Sequence, residues 1–174
     1  MVHGFAQWLQ STPVSVTIQS VQWIIPTVQS IHIVTIAVVF VALLTIALRV
    51  MGLMRTDQPF GAVIGRFARW VRRGLVVLAL TGITMIVGEP VRELMSLSFW
   101  LKMALLAVGI ASAIVFQRSL GPAVLSEDRE PQFSTLAKCG AVATVLLWLA
   151  IIFLGRAIAY DVEVWGPLSL SPRA

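Results

Sequence analysis

The sequence predicts an all-α integral membrane protein: a four-helix bundle with an N-terminal amphipathic helix in the membrane interface. Of its 174 residues, 58% are hydrophobic and only 12% are charged, and the mean hydropathy is +0.91. A soluble domain of this size needs a more polar surface than this composition can provide. Four apolar segments approach or exceed the roughly 18 residues that a membrane span requires.

We expect all four spans to be helical, because a backbone exposed to lipid must satisfy its hydrogen bonds internally. The predicted spans cover about 26–50, 68–88, 99–118 and 136–157. Together they form one transmembrane domain over residues 1–174. We expect no cleavable signal peptide before them and expect the first span to act as its own insertion signal.

The segment before the first span predicts the interfacial helix, over residues 13–25. Thr12 is placed to cap this helix, and Pro13 suits its first position. The apolar face then consists of Val14, Ile18, Val21 and Ile25. Pro26 is expected to break or bend the chain where it enters the first span.

The distribution of basic residues predicts the orientation. Of the 13 Lys and Arg residues, nine lie in the regions 49–73 and 118–138, which contain the connections between spans one and two and between spans three and four and the adjoining span ends. The positive-inside rule places these connections in the cytoplasm and both termini outside. Because the basic residues flank apolar spans and form no soluble domain, we expect no nucleic-acid partner despite the pI of about 10.7.

A basic row follows the first connection. Arg66, Arg69 and Arg73 share one helix face, which could bind anionic lipid head groups with about 1 kcal/mol per basic residue. The alternative is that these arginines set the topology and do nothing else.

Ionisable residues from all four spans converge on one level near the outer membrane boundary. By helical rise, each lies roughly 24–27 Å from the basic residue at the inner end of its own span. These residues are His32, Glu89, Lys102 and Arg156, with Arg92 just above them and Gln29 one turn from His32. They could form a site for a small anionic or quinone-like ligand, or they could pair and snorkel to stabilise the bundle.

Two function classes follow from this pattern. The first is a non-enzymatic accessory, anchoring or ligand-binding membrane subunit, because no nucleophile-elbow, zinc-protease or P-loop motif is present. Its expected partners are the lipid bilayer and other membrane subunits or a second copy in a homo-oligomer. In its ligand site Lys102 and Arg156 would supply positive charge, Glu89 would orient one of them, and His32 would form a hydrogen bond.

The alternative is a redox or metal protein that binds haem b or copper through His32. Its thioether ligands would be Met85 and Met103, although both suit apolar gap filling equally well. For the first class we expect no cofactor. The lone Cys139 excludes an internal disulfide and a cysteine metal cluster, and we expect it to be a small buried residue.

Several motifs resemble an uncharacterised family of small bacterial four-helix inner-membrane proteins. They are "STPVSVTIQSVQWIIPTVQSIHIVTIAVVF", "ALRVMGL", "TGITMIVGEPVREL" and "SFWLKMALL". That family is distantly similar to copper-resistance-D-type and cytochrome-b-like membrane proteins. The resemblance implies a bacterial inner-membrane location, with His32 as the family histidine and Glu89-Pro90 as an outer-end motif, but no established activity. Some relatives carry a second histidine near the inner end of span three, where this chain has Phe116 and Gln117.

Overall fold

The computed structural model of the chain describes residues 2–54, 57–119 and 132–170. These residues form helices and no strand. The helices are α1 (Val2–Gln10), α2 (Pro13–Ser20), α3 (Ile24–Val50), α4 (Phe60–Gly88), α5 (Pro90–Leu94), α6 (Leu97–Ser119), α7 (Thr135–Ala157) and α8 (Asp161–Trp165), with 3₁₀ turns at Ile158–Tyr160 and Gly166–Leu168. Within the described ranges, α3, α4, α6 and α7 are long and apolar enough to cross a membrane, as the sequence predicts.

The long helices pack in the order α4, α3, α7, α6, which differs from their order in the sequence. Helix α3 packs along both α4 and α7, and α7 packs along α6, whereas the backbones of α4 and α6 hardly approach each other. Glycines explain this pairing. A Cβ at Gly74 of α4 would collide with Val39 of α3, and one at Gly109 of α6 would lie 3.0 Å from Leu147 of α7. Small residues at these positions let the paired backbones come close.

The core has three layers along the bundle. At one end, called the capped end here, Ala6, Leu94, Phe99 and Ile158 are buried together. The middle layer forms around Val39, Trp148 and Ile151. At the other end, called the loop end, where α3 ends and α4 begins, the buried residues are Val50, Phe60 and Ile64.

Two helix boundaries differ from the predicted ones. Helix α2 ends at Ser20 instead of residue 25, and Pro26 lies in the first turn of α3 and does not break the chain there. Proline is tolerated in the first turn because its missing N–H has no intrahelical acceptor there. Helix α4 begins at Phe60 instead of residue 68, so the basic row and the apolar span belong to one continuous helix.

Hydrogen bonds fasten the outer segments to the capped end. Asp161 accepts hydrogen bonds from Ser96 Oγ at 2.7 Å, from the Ser98 main-chain N–H at 3.0 Å and from Ser169 Oγ at 2.6 Å. The first two donors lie at the start of α6, where main-chain N–H groups lack intrahelical acceptors. Asp161 therefore joins the C-terminal segment to the N-terminus of α6.

Helix α2 is fastened to the end of α4 in a similar way. Ser15 is fully buried, and its hydroxyl donates to the Val87 carbonyl at 2.6 Å. The predicted cap is present, because Thr12 Oγ1 accepts from the Ser15 N–H at 3.4 Å.

The prediction of a buried Cys139 is wrong, since this residue is exposed on α7. A Cβ at the next residue, Gly140, would meet no other atom within 4 Å. This face of α7 points away from the bundle, so an apolar residue here does not have to belong to the core. The connection that the sequence predicts between spans three and four falls largely outside the described residues.

Candidate functional site

Three helices bring ionisable side chains together beneath the capped end. His32 comes from α3, Glu93 from α5 and Lys102 from α6, and Lys102 interacts electrostatically with both of the others. Thr81 of α4 contacts His32. We call His32, Thr81, Glu93 and Lys102 the capped-end cluster.

A hydrogen bond to Thr81 fixes the orientation of the His32 ring. His32 Nδ1 lies 2.7 Å from Thr81 Oγ1, and the Thr81 hydroxyl donates to the Val77 carbonyl at 2.7 Å. If the hydroxyl hydrogen is directed to Val77, His32 Nδ1 carries a hydrogen and donates it to Thr81. In a neutral imidazole with this tautomer, Nε2 is an acceptor, and it has no hydrogen-bond partner among the described residues.

The Lys102 side chain runs past Gly155 of α7. Its Cδ lies 3.8 Å from the position that a Cβ would take at Gly155, so this glycine leaves room for the lysine stem. The ammonium lies 5.5 Å from the centroid of the Phe99 ring, within the range of a cation–π interaction. Within the described parts of the chain it forms neither an ion pair nor a hydrogen bond.

Glu93 provides the carboxylate of the cluster. Its exposed fraction is 9%, and this burial raises its pKa above the ordinary value of 4.5. The positive charges of Lys102 and Arg92 act in the opposite direction but do not cancel the effect of burial. The cluster therefore contains a carboxyl group that takes up a proton more readily than a solvated glutamate does.

The other predicted site residues lie elsewhere at the capped end. Glu89 pairs with Arg92 one turn away, on the surface. Arg156 is exposed, with its guanidinium 5.3 Å from the Tyr160 ring centroid and 3.4 Å from the Tyr160 hydroxyl. Gln29 is half-buried one turn before His32.

Of the predicted residues, the structure thus brings together His32 and Lys102, with Glu93 as the nearby carboxylate in place of Glu89. Pro90 causes this exchange. It begins a new short helix, α5, so Glu89 lies between two helices. Glu93 lies within α5 and is buried. The sequence signal for this was the Glu89-Pro90 pair, since proline favours the first position of a helix.

The metal alternative depends on His32. Among the described residues, no group of three or more His, Cys, Asp or Glu side chains could hold a metal ion. Met103 packs against the apolar layer at the capped end, and Met85 is half-buried on α4. A hydrogen-bonded Nδ1 with an unoccupied Nε2 is typical of histidine ligands. One histidine nitrogen does not complete a metal site, so binding of haem b or copper stays a prediction.

Two grooves lie on the bundle surface near the loop end, away from this cluster. One, of about 520 Å³, is lined by residues that include Met51, Leu53, Cys139 and Val142. The other, of about 650 Å³, runs between α6 and α7 and is lined by residues that include Val108, Val115, Phe116 and Leu136. Both are open and mostly apolar, so they offer few groups that would orient a polar ligand.

Comparison with known proteins gives a family but no function. A family model described as a family of unknown function (DUF6644) matches residues 7–161. No curated protein and no solved structure matches the chain, so no named relative supports the expected similarity to copper-resistance-D-type or cytochrome-b-like proteins.

Proposed function

We propose that this chain, which belongs to the family of unknown function DUF6644, is a multi-pass membrane protein that binds a quinone-like head group at its capped end. The observation that carries this proposal is Lys102, a half-buried lysine within a long apolar helix that interacts electrostatically with His32 and forms no hydrogen bond or ion pair with the described residues. An ionisable residue within a membrane span indicates a functional site, and an ammonium with free donors can form a hydrogen bond to a ligand.

Membrane insertion is supported by the apolar surface of the long helices. Large side chains on their outer faces are extensively exposed, including Val34 at 64%, Leu80 at 62% and Phe153 at 68%. Such surfaces are stable when lipid covers them. Phe5 and Trp8 of α1 and Val14 of α2 are also exposed, which suits helices that lie in the interface.

The orientation that fits the charge distribution has the loop end in the cytoplasm. Arg66, Arg69 and Arg73 of α4 and Arg118 of α6 lie near that end and are exposed. The positive-inside rule then puts the capped end and both termini on the outer side of a bacterial inner membrane.

The chemistry of the cluster favours a neutral ligand with carbonyl or hydroxyl groups. Lys102 can donate a hydrogen bond to a carbonyl oxygen, and His32 Nε2 can accept one from a hydroxyl. An anionic ligand would be repelled by the nearby Glu93 when this carboxyl is ionised. Lys102 is five residues after the start of α6, or roughly 7–8 Å along the helix, where a ring carried by an isoprenoid tail can reach from the acyl region.

The role proposed for the chain is that of an accessory subunit that binds and positions the quinone head group. In it Lys102 and His32 contact the ligand, and Thr81 and Glu93 position them. Other membrane subunits or a second copy of the chain would be its partners.

A binding titration tests this proposal. The purified protein in detergent is titrated with decylubiquinone, and quenching of tryptophan fluorescence is followed. We expect saturable binding that K102M weakens by at least about tenfold, since a lost hydrogen bond to a charged group costs about 1.5–3 kcal/mol. H32A should weaken it about three- to tenfold, since a neutral hydrogen bond contributes about 0.5–1.5 kcal/mol. R156Q is the matched control, because Arg156 is a cation at the same end that already contacts Tyr160.

Two outcomes would contradict the proposal: no saturable binding to the wild-type protein, or equal affinity in K102M and the wild type. A visible spectrum and a metal analysis of the same preparation separate it from the redox alternative. A Soret band or stoichiometric copper that disappears in H32A would favour haem b or copper instead.

A further inference from the structure

The first half of α4 carries a row of arginines on the face opposite the bundle core. Arg66, Arg69 and Arg73 follow the i, i+3, i+7 spacing of a single helix face, and all three are exposed. The residues of α4 that point into the bundle here are Val63, Ile64 and Gly74, and all three are buried. The arginine row thus faces the surroundings of the bundle.

The same side of α4 continues toward the capped end as an apolar strip. Val76, Leu80 and Ile83 follow Arg73 at three- and four-residue intervals and are 60%, 62% and 59% exposed. A phospholipid molecule alongside α4 would therefore meet arginines at the level of its phosphate and aliphatic side chains at the level of its acyl chains.

The arginines are available to an external anion. Residues 58–88 contain no Asp or Glu, and the ion pair found in the described part of the chain, between Arg92 and Glu89, lies at the other end of α4. Arg69 donates from Nε to the Gly65 carbonyl at 3.1 Å, which orients the guanidinium and leaves its two terminal nitrogens as donors. Trp70 beside the row is 53% exposed, as indoles at the membrane interface commonly are.

We propose that this face of α4 is a binding site for an anionic phospholipid, with Arg66, Arg69 and Arg73 on the phosphate groups and an acyl chain along Val76, Leu80 and Ile83. The planar guanidinium can donate two parallel hydrogen bonds to phosphate oxygens, which gives a defined geometry as well as attraction. The inference rests on the proposed membrane insertion but not on the proposed quinone site.

Native mass spectrometry tests the lipid site. The protein is incubated in detergent with equimolar phosphatidylglycerol and phosphatidylcholine that carry identical acyl chains, and the ratio of bound lipids is measured. We expect phosphatidylglycerol to dominate, R69Q to lower the ratio about fivefold, and R66Q/R69Q/R73Q to remove the preference; fivefold corresponds to about 1 kcal/mol per basic residue. Unfolding temperatures of all variants are measured in the same detergent.

The matched control is R118Q, which removes one exposed arginine near the same end of the bundle but from α6. We expect R118Q to change the ratio less than twofold, compared with about fivefold for R69Q. Equal binding of the two lipids to the wild-type protein, or an equal effect of R118Q and R69Q, would overturn the inference. Carbonate extraction of native membranes separates the two proposals: an extracted chain contradicts membrane insertion, whereas a retained chain without lipid preference contradicts the lipid site alone.

Discussion

Lys102 of α6 has Glu93 of α5 as its electrostatic partner, and the two side chains do not form a direct ion pair. This relationship connects a short helix at the capped end with the beginning of a long helix. Without an ion pair, the Lys102 ammonium keeps its hydrogen-bonding capacity. Burial raises the pKa of the Glu93 carboxyl group.

Glu93 predicts a pH dependence of stability. Its pKa is raised in the folded state, mainly by burial, so the folded protein binds more protons than the unfolded one between pH 4.5 and the raised pKa. The free energy of unfolding must therefore fall as the pH rises through this window. We expect unfolding in mixed detergent micelles to require more SDS at the acidic side of the window.

E93Q removes this titration and should flatten the profile over the same range. E163Q is its control: Glu163 is exposed, and its replacement should leave the pH profile of unfolding as in the wild type. A profile for E93Q with the wild-type slope would show that another group causes the pH dependence.

The Thr81 hydroxyl positions His32, so T81V should weaken quinone binding without removing the imidazole. Loss of the 2.7 Å hydrogen bond frees the ring to rotate and lets either nitrogen carry the hydrogen. We expect a three- to tenfold higher Kd for decylubiquinone, or about 0.7–1.4 kcal/mol, in the range of one neutral hydrogen bond. Fluorescence titration measures this effect.

Thr84 provides the matched control on the same helix. Its hydroxyl donates to the Leu80 carbonyl at 3.0 Å, as that of Thr81 does to Val77, but it has no contact with His32 in the described structure. T84V should keep the wild-type Kd. If both variants bind equally well, Thr81 has no positioning role.

Gly74 sets the distance between α3 and α4, so G74A should destabilise the bundle. A methyl group there would collide with Val39, which is fully buried, and overpacking of this kind costs about 1–3 kcal/mol. G140A is the control, because a Cβ at Gly140 meets no atom within 4 Å and alanine favours the helix by up to about 1 kcal/mol. Unfolding in SDS that ranks G74A at or above the wild type would contradict the close packing of these helices.

Asp161 joins the C-terminal segment to α6, so D161A should destabilise the capped end. The change leaves the Ser96 hydroxyl and the Ser98 N–H without their buried acceptor, and we expect a cost of about 2 kcal/mol. E163A, two residues away at an exposed position, should be neutral. Thermal unfolding in detergent compares them, and equal melting temperatures would show that the Asp161 hydrogen bonds do not stabilise the capped end.

The number of long apolar helices could be predicted from the sequence because it depends on composition and segment length. Their pairing could not, since it depends on which glycines face another helix. Gly74 and Gly109 face a neighbouring helix, whereas Gly140, also a glycine of a long apolar helix, faces outward. The residues around Gly109 are nearly all apolar, so periodicity does not distinguish a lipid-facing side from a packed one there.

The part of the candidate site that depends only on depth along straight helices could be predicted from the sequence. His32 and Lys102 share a level for this reason. Glu93 and Asp161 could not be placed in this way, because α5 and residues 158–170 are short segments whose directions are set by Pro90 and by tertiary hydrogen bonds. Arg156 has the expected depth but lies on an exposed side of α7.

Photoaffinity labelling with an azidoquinone tests the quinone site most directly, because it reports where the head group lies. After irradiation of the purified protein, the labelled peptides are identified by mass spectrometry. We expect labels on residues 29–36, 78–85 and 93–103, and their loss when decylubiquinone is in excess. Labels confined to the apolar grooves at the loop end, around Met51 and Cys139, would contradict it.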